Sequence, residues 1–503
     1  MQVTAPISLS HLETLARRRR VSAAVVPVAL AALGTASLWL YFWGRDLHRF
    51  TQGIASYIGL FIAQLLLYVL ACYVVESWGD RSSLAAKRVT IALVFFFAAG
   101  YRAVLVPQRP YLSTDVYRYV WDGRVQAAGI NPYRYVPEAT ELSGLRDDDV
   151  FPNLNREDRN WLTPYPPVAQ MFFLAVSWVR PMSVTALKAA VSSFDLITVF
   201  LLMLVLARSG IDPVRAIIFA WHPLVIFEGA HSGHFEGVYI TFLALALLAW
   251  SRRKRALIGV GLALATLVKF YPVILLPTFL LAEGDESPRK SSIDAPNGIA
   301  AERARAPLRA FLNESSMTIL GVFFASIVVA YLPYLGAGGN LFGFLRGYFV
   351  EEGFGQSGSR YFLLTAVRKL IPVPTVVFLI VAAVVFAAAC VRLSFMKDRH
   401  AVELARGAST LTGLYLLVTT PRYSWYYILM IPFLCFAPSF GWLYLTCASV
   451  LLYLVWYTPL VYPGIPLWLG VCIYVPALVW QVSEHLKRRR APVMSRCDAS
   501  LPL

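Results

Sequence analysis

Residues 21–43 read VSAAVVPVALAALGTASLWLYFW, an apolar run that follows the cationic cluster Arg17 to Arg20. A helix rises about 1.5 Å per residue, so a run of this length reaches across the roughly 30 Å hydrocarbon core of a bilayer. The core of a secretory signal peptide is shorter, so the segment is expected to be a retained first membrane helix. Further apolar runs follow at 53–75, 89–106, 185–207, 216–229, 237–250, 256–281, 317–335, 374–391, 408–420, 425–436, 442–460 and 467–482. Several fall short of the roughly 20 residues that a crossing needs. That is expected where helices break around a cavity and protein or water satisfies the freed backbone groups.

Composition leads to the same class. Of the 503 residues, 58% are hydrophobic and 14% aromatic, with a mean hydropathy of +0.60. This is too apolar for a water-soluble fold of ordinary charge, and an all-α polytopic membrane protein of about 12 to 14 helices is expected. A net charge of +16 would suit nucleic acid, but the basic residues sit in short clusters between apolar runs. Arg17 to Arg20, Lys87-Arg88, Arg252 to Arg255 and Lys487 to Arg490 act as topology signals, and nucleic acid is not an expected partner. Cys72, Cys390, Cys435, Cys447 and Cys472 lie in or beside apolar segments, Cys497 lies in the basic tail, and no CxxC pair occurs. Neither a disulfide framework nor a zinc site is implied.

The lysine and arginine bias puts both termini in the cytoplasm and the loop from Pro107 to Pro166 outside. Residues 168–179 are apolar but short, and a crossing there would turn Arg252 to Arg255 outward, so an interfacial or re-entrant helix is expected. Pro272, after Lys269-Phe270-Tyr271, breaks the run 256–281 into a helical hairpin touching the outer face. The expected organisation is a tail and three helices over 1–106, then an outer loop with interfacial helices over 107–184. Core helices follow over 185–282, a flexible cytoplasmic loop over 283–315, helices with an outer loop at 336–360 over 316–482, and a basic tail over 483–503.

The outer loop holds STDVYRYVWDGR at 113–124. Thr114 is the expected N-cap of a helix over Asp115 to Ala128, stopped by Gly129 and Pro132. Asp115, Arg118 and Asp122 share one face, with the two carboxylates about 10 Å apart by helical rise. That is well beyond the roughly 5 Å of a retaining glycosidase pair, so one carboxylate is expected to act. Asp115 lies at the positive end of the helix dipole, which favours the ionised form a base needs. The pattern equally allows Asp115 to complete the helix N-terminus and Asp122 to pair with Arg118. The stretches GINPYRYVP at 129–137 and WLTPYPP at 161–167 suit a sugar or lipid face, or an interfacial aromatic belt.

The run from Ser113 to Pro137, followed by TPYPP at 163–167, resembles the first outer loop of GT-C glycosyltransferases, which take a sugar from a polyprenyl phosphate. It is most similar to bacterial family 87 mannosyltransferases, with a fainter likeness to the eukaryotic enzyme that adds the first mannose to the GPI anchor. GHFE at 233–236 is similar to the family's GHxD element, with Glu236 in place of aspartate. VKFYP at 268–272 is similar to its KxYP element, and PRYSWYY at 421–427 to its late PxxWYx element.

The resemblance implies a GT-C helix bundle in a bacterial cell membrane, with a large catalytic first outer loop. It implies inverting transfer of a sugar, mannose by family likeness, from a polyprenyl-phosphate donor to an acceptor hydroxyl outside; a glycolipid or glycan is the expected acceptor, and protein stays open. No cofactor beyond that lipid-linked donor is implied. Asp115 would be the general base, and a phosphate that leaves as a stable anion needs no second carboxylic acid. Asp122, Arg118, Tyr165, His234, Glu236 and Trp425 would contact substrate, while Lys269, Arg360 and Arg422 would clamp the phosphate. Each of those cations could instead snorkel to headgroups. His231, His234 and Glu236 match no structural zinc spacing, and the resemblance implies a metal-independent enzyme. A transporter or flippase of lipid-linked sugars remains the rival class, although the sequence has no obvious two-fold internal repeat. Another sugar, such as arabinose or glucose, also stays open.

Overall fold

Charge and apolar surface are distributed inside out relative to a soluble protein. Trp39, Leu66 and Phe96 are exposed, whereas Arg102 and Asp195 are buried and paired at 3.1 Å. Arg102 also donates to the carbonyls of Ala98 (3.0 Å) and Ala220 (3.1 Å). Buried charge that is paired, beneath an apolar exterior, is the arrangement a bilayer imposes.

The computed structural model describes residues 9–45, 54–78, 83–282, 313–343, 345, 361–394, 400–457 and 465–490, and no strand occurs among them. The principal helices are α1 Leu9–Gly44, α2 Ile54–Trp78, α3 Leu84–Leu105, α4 Asp115–Ala127, α5 Pro167–Val179 and α6 Val184–Arg208. They are followed by α7 Glu236–Ser251, α8 Arg255–Val268, α9 Glu314–Tyr331, α10 Thr375–Ser394, α11 Ala401–Thr419 and α12 Leu467–Arg490. Among the described residues seven helical segments are long and apolar enough to cross a membrane, and six shorter apolar helices accompany them. The protein is an all-α, multi-pass membrane protein. The expected flexible loop over 283–315 lies, up to residue 312, outside the described residues, as does Arg360.

Two expected spans are broken. Residues 216–229 form no single helix: Pro213 and Pro223 each start a new turn, giving Ile217–Ala220, Pro223–Ile226 and a wide π-helical turn at Phe227–Ser232. Proline lacks the N–H that would continue the ladder, and the Nδ1 of His222 accepts the Leu224 N–H instead (3.2 Å). The run 256–281 also breaks, into α8 and a second piece over Tyr271–Ala282.

The two ends of the bundle differ. At one end Glu76, closing α2, pairs with Arg215 (2.6 Å), and Lys87 in α3 pairs with Asp212 (2.7 Å). Arg208, closing α6, reaches Ser251 at the end of α7 (3.3 Å), so the basic turn between α7 and α8 lies there too. At the opposite end Lys188, near the start of α6, donates to the carbonyl of Leu105 at the end of α3 (3.3 Å). The start of α7 and the break after α8 share this second end, and α4 lies on it.

The helix α4 starts as expected at Asp115, and Gly129 follows its end with φ 78°. Thr114 occupies the N-cap position but its side chain makes no cap bond; the Asp115 N–H donates to Ser113 Oγ instead (3.2 Å). Gly123 lets α4 lie directly on α5, because a Cβ there would stand 2.5 Å from the Phe173 carbonyl oxygen. With 13 residues α5 is about 20 Å long, too short to cross the hydrocarbon core.

Candidate active site

The π-helical turn Phe227–Ser232 ends at Gly233, whose φ of +82° is the left-handed conformation glycine adopts at no steric cost. A Cβ at Gly233 would also stand 2.6 Å from Val116 Cγ2, so glycine lets the turn close against the start of α4. The next residue, His234, donates its backbone N–H to the Glu228 carbonyl (2.8 Å). Its ring Nδ1 lies 2.8 Å from Glu228 Oε2, and its Nε2 lies 3.2 Å from Ser113 Oγ and 3.6 Å from Asp115 Oδ2. Glu228 Oε1 accepts from Ser424 Oγ (2.6 Å) and from the Tyr453 hydroxyl (2.7 Å). The imidazole stacks on Trp425 with centroids 3.8 Å apart, and Trp425 stacks on Tyr423 at 4.4 Å. An acid, an imidazole and a second acid thus stand in a row. Glu228 and His234 are sealed inside, while the Asp115 side chain keeps 32% of its surface open.

A second row runs beside the first. Glu236, the first residue of α7, forms an ion pair with Lys269 at the end of α8, leaving its buried Oε2 without a hydrogen-bond partner. Lys269 Nζ lies 4.9 Å from the Phe235 ring centroid and 5.7 Å from that of Tyr426. Arg422 is buried with its guanidinium 5.6 Å from the Tyr423 ring.

The charges act on one another. Burial pushes the Asp115 carboxyl up, but the His234 hydrogen bond, the His234 and Lys269 charges and the Ser113 hydroxyl hold it below its ordinary value. Burial disfavours a charged His234, yet bonds to Asp115 and Glu228 outweigh it and push the imidazole up to about 9. Asp158 is pushed up to about 7, by burial first and then by the Asp115 charge.

Arg118 and Asp122 sit apart from this open end. Their side chains are only 1% and 3% exposed and pair at 2.8 Å. Asp122 Oδ2 also accepts from Thr163 (2.5 Å) and Gln170 (3.0 Å), and Arg118 donates to the carbonyls of Trp161 (3.2 Å) and Asp158. The pair therefore fastens the TPYPP stretch and the short helix Arg156–Asn160 to α4. Tyr165 belongs to an aromatic cluster with Tyr119 (5.0 Å), Phe173 (5.6 Å) and Phe235 (5.5 Å), which ties the loop and α5 to the head of α7.

The structure thus brings Asp115, His234, Glu236, Lys269, Trp425 and Arg422 to one end of the bundle. Ser113, Glu228, Ser424 and Tyr453 join the site without having been singled out by the sequence pattern. Only Glu228 carries a signal, as an acid inside an apolar run. Among the described residues no group of three His, Cys, Asp or Glu side chains is arranged to hold a metal ion.

Fold and site together define a multi-pass membrane protein with a polar centre gathered at one end of its bundle. Residues 18–283 match the family described as alpha-(1->6)-mannopyranosyltransferase, N-terminal domain, and residues 161–421 match glycosyltransferase family 87. Each match spans a little over half of the chain, and the chain belongs to glycosyltransferase family 87. It is 26% identical over 244 residues to alpha-(1->6)-mannopyranosyltransferase A of Corynebacterium glutamicum. That match covers 45% of this chain and 46% of the relative, so the chain spans about half the length of the curated relative it matches. No solved structure matches it significantly.

Proposed function

We propose that the protein is a membrane glycosyltransferase that moves mannose from a polyprenyl-phosphate donor to a hydroxyl of a glycolipid or glycan acceptor on the extracytoplasmic face. The observation that carries this is Asp115, a partly open carboxylate at the head of α4, kept ionised by His234 at 3.6 Å and by the Lys269 charge. Asp115 takes the proton of the acceptor hydroxyl as that oxygen attacks the anomeric carbon. The bond from that carbon to the phosphate oxygen breaks, the polyprenyl phosphate leaves as an anion, and the anomeric configuration inverts. Lys269 and Arg422 hold the phosphate, so its departure needs no acid. The outer face is supported by the basic clusters at the opposite end, around Lys87, Arg215 and the turn from Arg252 to Arg255. Mannose is supported by the likeness to the Corynebacterium alpha-(1->6)-mannopyranosyltransferase.

The test uses the purified full chain in detergent with polyprenyl-phosphate-mannose and an octyl-linked α-(1→6)-mannobioside. The expected result is a mannosylated product of configuration opposite to the donor's, formed about 10²–10⁴ times more slowly with Asp115→Asn. Detergent leaves no second compartment, so transfer there excludes a transporter. Near-normal transfer by a folded Asp115→Asn overturns the base assignment, and no transfer by the unsubstituted chain overturns the choice of substrates.

A further inference from the structure

Glu228 is an acid in the middle of a broken membrane helix, and the proposed chemistry makes no use of it. Both its oxygens are occupied, by Ser424 Oγ and the Tyr453 hydroxyl on Oε1 and by His234 Nδ1 on Oε2. Its carbonyl accepts the His234 backbone N–H as well. An acceptor fixed at Nδ1 requires a proton on that nitrogen. A neutral ring would then turn the Nε2 lone pair toward Asp115 Oδ2, another acceptor, at 3.6 Å, and toward Ser113 Oγ at 3.2 Å, whose hydroxyl proton is drawn to the Asp115 carboxylate. A proton on Nε2 as well satisfies both sides.

Resting on Asp115 as the base, we propose that Glu228 is the positioning residue of the site, orienting His234 and holding it as an imidazolium behind Asp115. A cation there cannot receive the proton that Asp115 takes from the acceptor, so His234 is no relay; the proton leaves Asp115 to water with the product. The elevated imidazole, at about 9, accords with this. All the groups that face the ring share in the balance. Asp115 and Ser113 lie at the head of α4, Glu228 lies in the π-helical turn and Trp425 lies over the ring. Lys269, paired with Glu236, and Asp158 act on Asp115, while Tyr57 packs on Tyr453 near Glu228.

The test is ring nitrogen NMR of the full chain, labelled with nitrogen-15 histidine, in nanodiscs, with His234→Asn used to assign the signal. Both His234 nitrogens should carry protons at pH 7, and Glu228→Gln should lower the titration midpoint by about 2 pH units. In the mannose-transfer assay, Glu228→Gln should move the alkaline limb of kcat to lower pH by the same amount, because His234 then loses its charge, and Asp115 its cation, nearer neutrality. Glu228→Asp should restore part of that limb. A wild-type His234 with one protonated nitrogen at pH 7 overturns the proposal even if the variants do not fold. So does a midpoint left unmoved by Glu228→Gln, or a fall in kcat with the limb in place. If the unsubstituted chain transfers no mannose, the substrate assignment fails while the NMR still judges Glu228.

Discussion

Asp115 Oδ2 and His234 Nε2 face one another at 3.6 Å although one opens α4 and the other lies between a broken helix and α7. The contact joins a loop outside the bundle to a turn buried within it. Val116 packed against Gly233 and the Tyr119–Phe235 ring pair at 4.7 Å hold the same seam. The carboxylate is thus placed by the bundle, not by the loop alone.

Asp115→Asn keeps the shape and removes the charge. Loss of a general base costs about 10²–10⁴ in rate. Transfer of mannose should fall by that factor while the variant stays folded at the assay temperature, its melting temperature lowered no more than acid lowers that of the wild type. A rate within about threefold of wild type would assign the base elsewhere.

The two sides of the Asp115–His234 contact set the pH range. The Asp115 carboxyl lies below its ordinary 3.8 in the folded protein, so its stabilising effect is present above that value and lost as pH falls through the folded one. The imidazole is raised from 6.5 to about 9, so its contribution is full below 6.5 and lost as pH rises through about 9. Melting temperature and kcat should both be flat across neutral pH and decline at each edge. A fall in kcat centred near 6.5 would contradict a cationic His234.

What the sequence made legible follows the range of the interactions. Apolar runs announce helices because membrane crossing is a local property of about 20 residues. The i,i+4 pair Arg118–Asp122 was likewise readable as a local pattern. Thr114 and Ser113 are adjacent hydroxyls, and pattern cannot say which one turns toward the Asp115 N–H; the structure selects Ser113. Glu228 was averaged away within the run 216–229, and the breaks at Pro213 and Pro223 that deliver it to His234 depend on packing from several helices. Tyr453 approaches Glu228 from the far end of the chain, a pairing that no local pattern encodes.

Arg118→Ala should damage the fold more than the chemistry. It leaves Asp122 buried with Thr163 and Gln170 as its remaining donors, and breaking a buried pair from one side costs about 3–5 kcal/mol. Thermal unfolding should shift down by several degrees, with limited proteolysis opening the segment near Trp161 first. Asp122→Asn retains a neutral acceptor and should cost less. Equal stability of Arg118→Ala and wild type would show that the clamp is dispensable.

Lys269 is paired before any phosphate arrives, so its removal has two effects to separate. Lys269→Ala leaves Glu236 buried without its cation and should lower both stability and donor use. The double variant Lys269→Ala with Glu236→Gln removes the stranded charge, and its melting temperature should recover while the donor KM stays at least tenfold high, equivalent to about 1.4 kcal/mol. Donor KM at the wild-type value in the double variant would release Lys269 from the phosphate.

Gly233 and Gly210 separate backbone strain from site geometry. Both have positive φ, +82° and +71°, but a Cβ at 210 meets nothing within 4 Å, whereas at 233 it meets Val116 Cγ2 at 2.6 Å and Lys188 Cγ at 3.1 Å. Gly210→Ala should therefore cost about 1 kcal/mol of conformational strain and leave transfer intact. Gly233→Ala carries that strain plus a steric clash worth about 1–3 kcal/mol, and relieving the clash moves His234 away from the head of α4. Its kcat should fall at least tenfold beyond that of Gly210→Ala at a temperature where both remain folded, and matching activities would mean that the close approach of this turn to Val116 does not govern the reacting geometry.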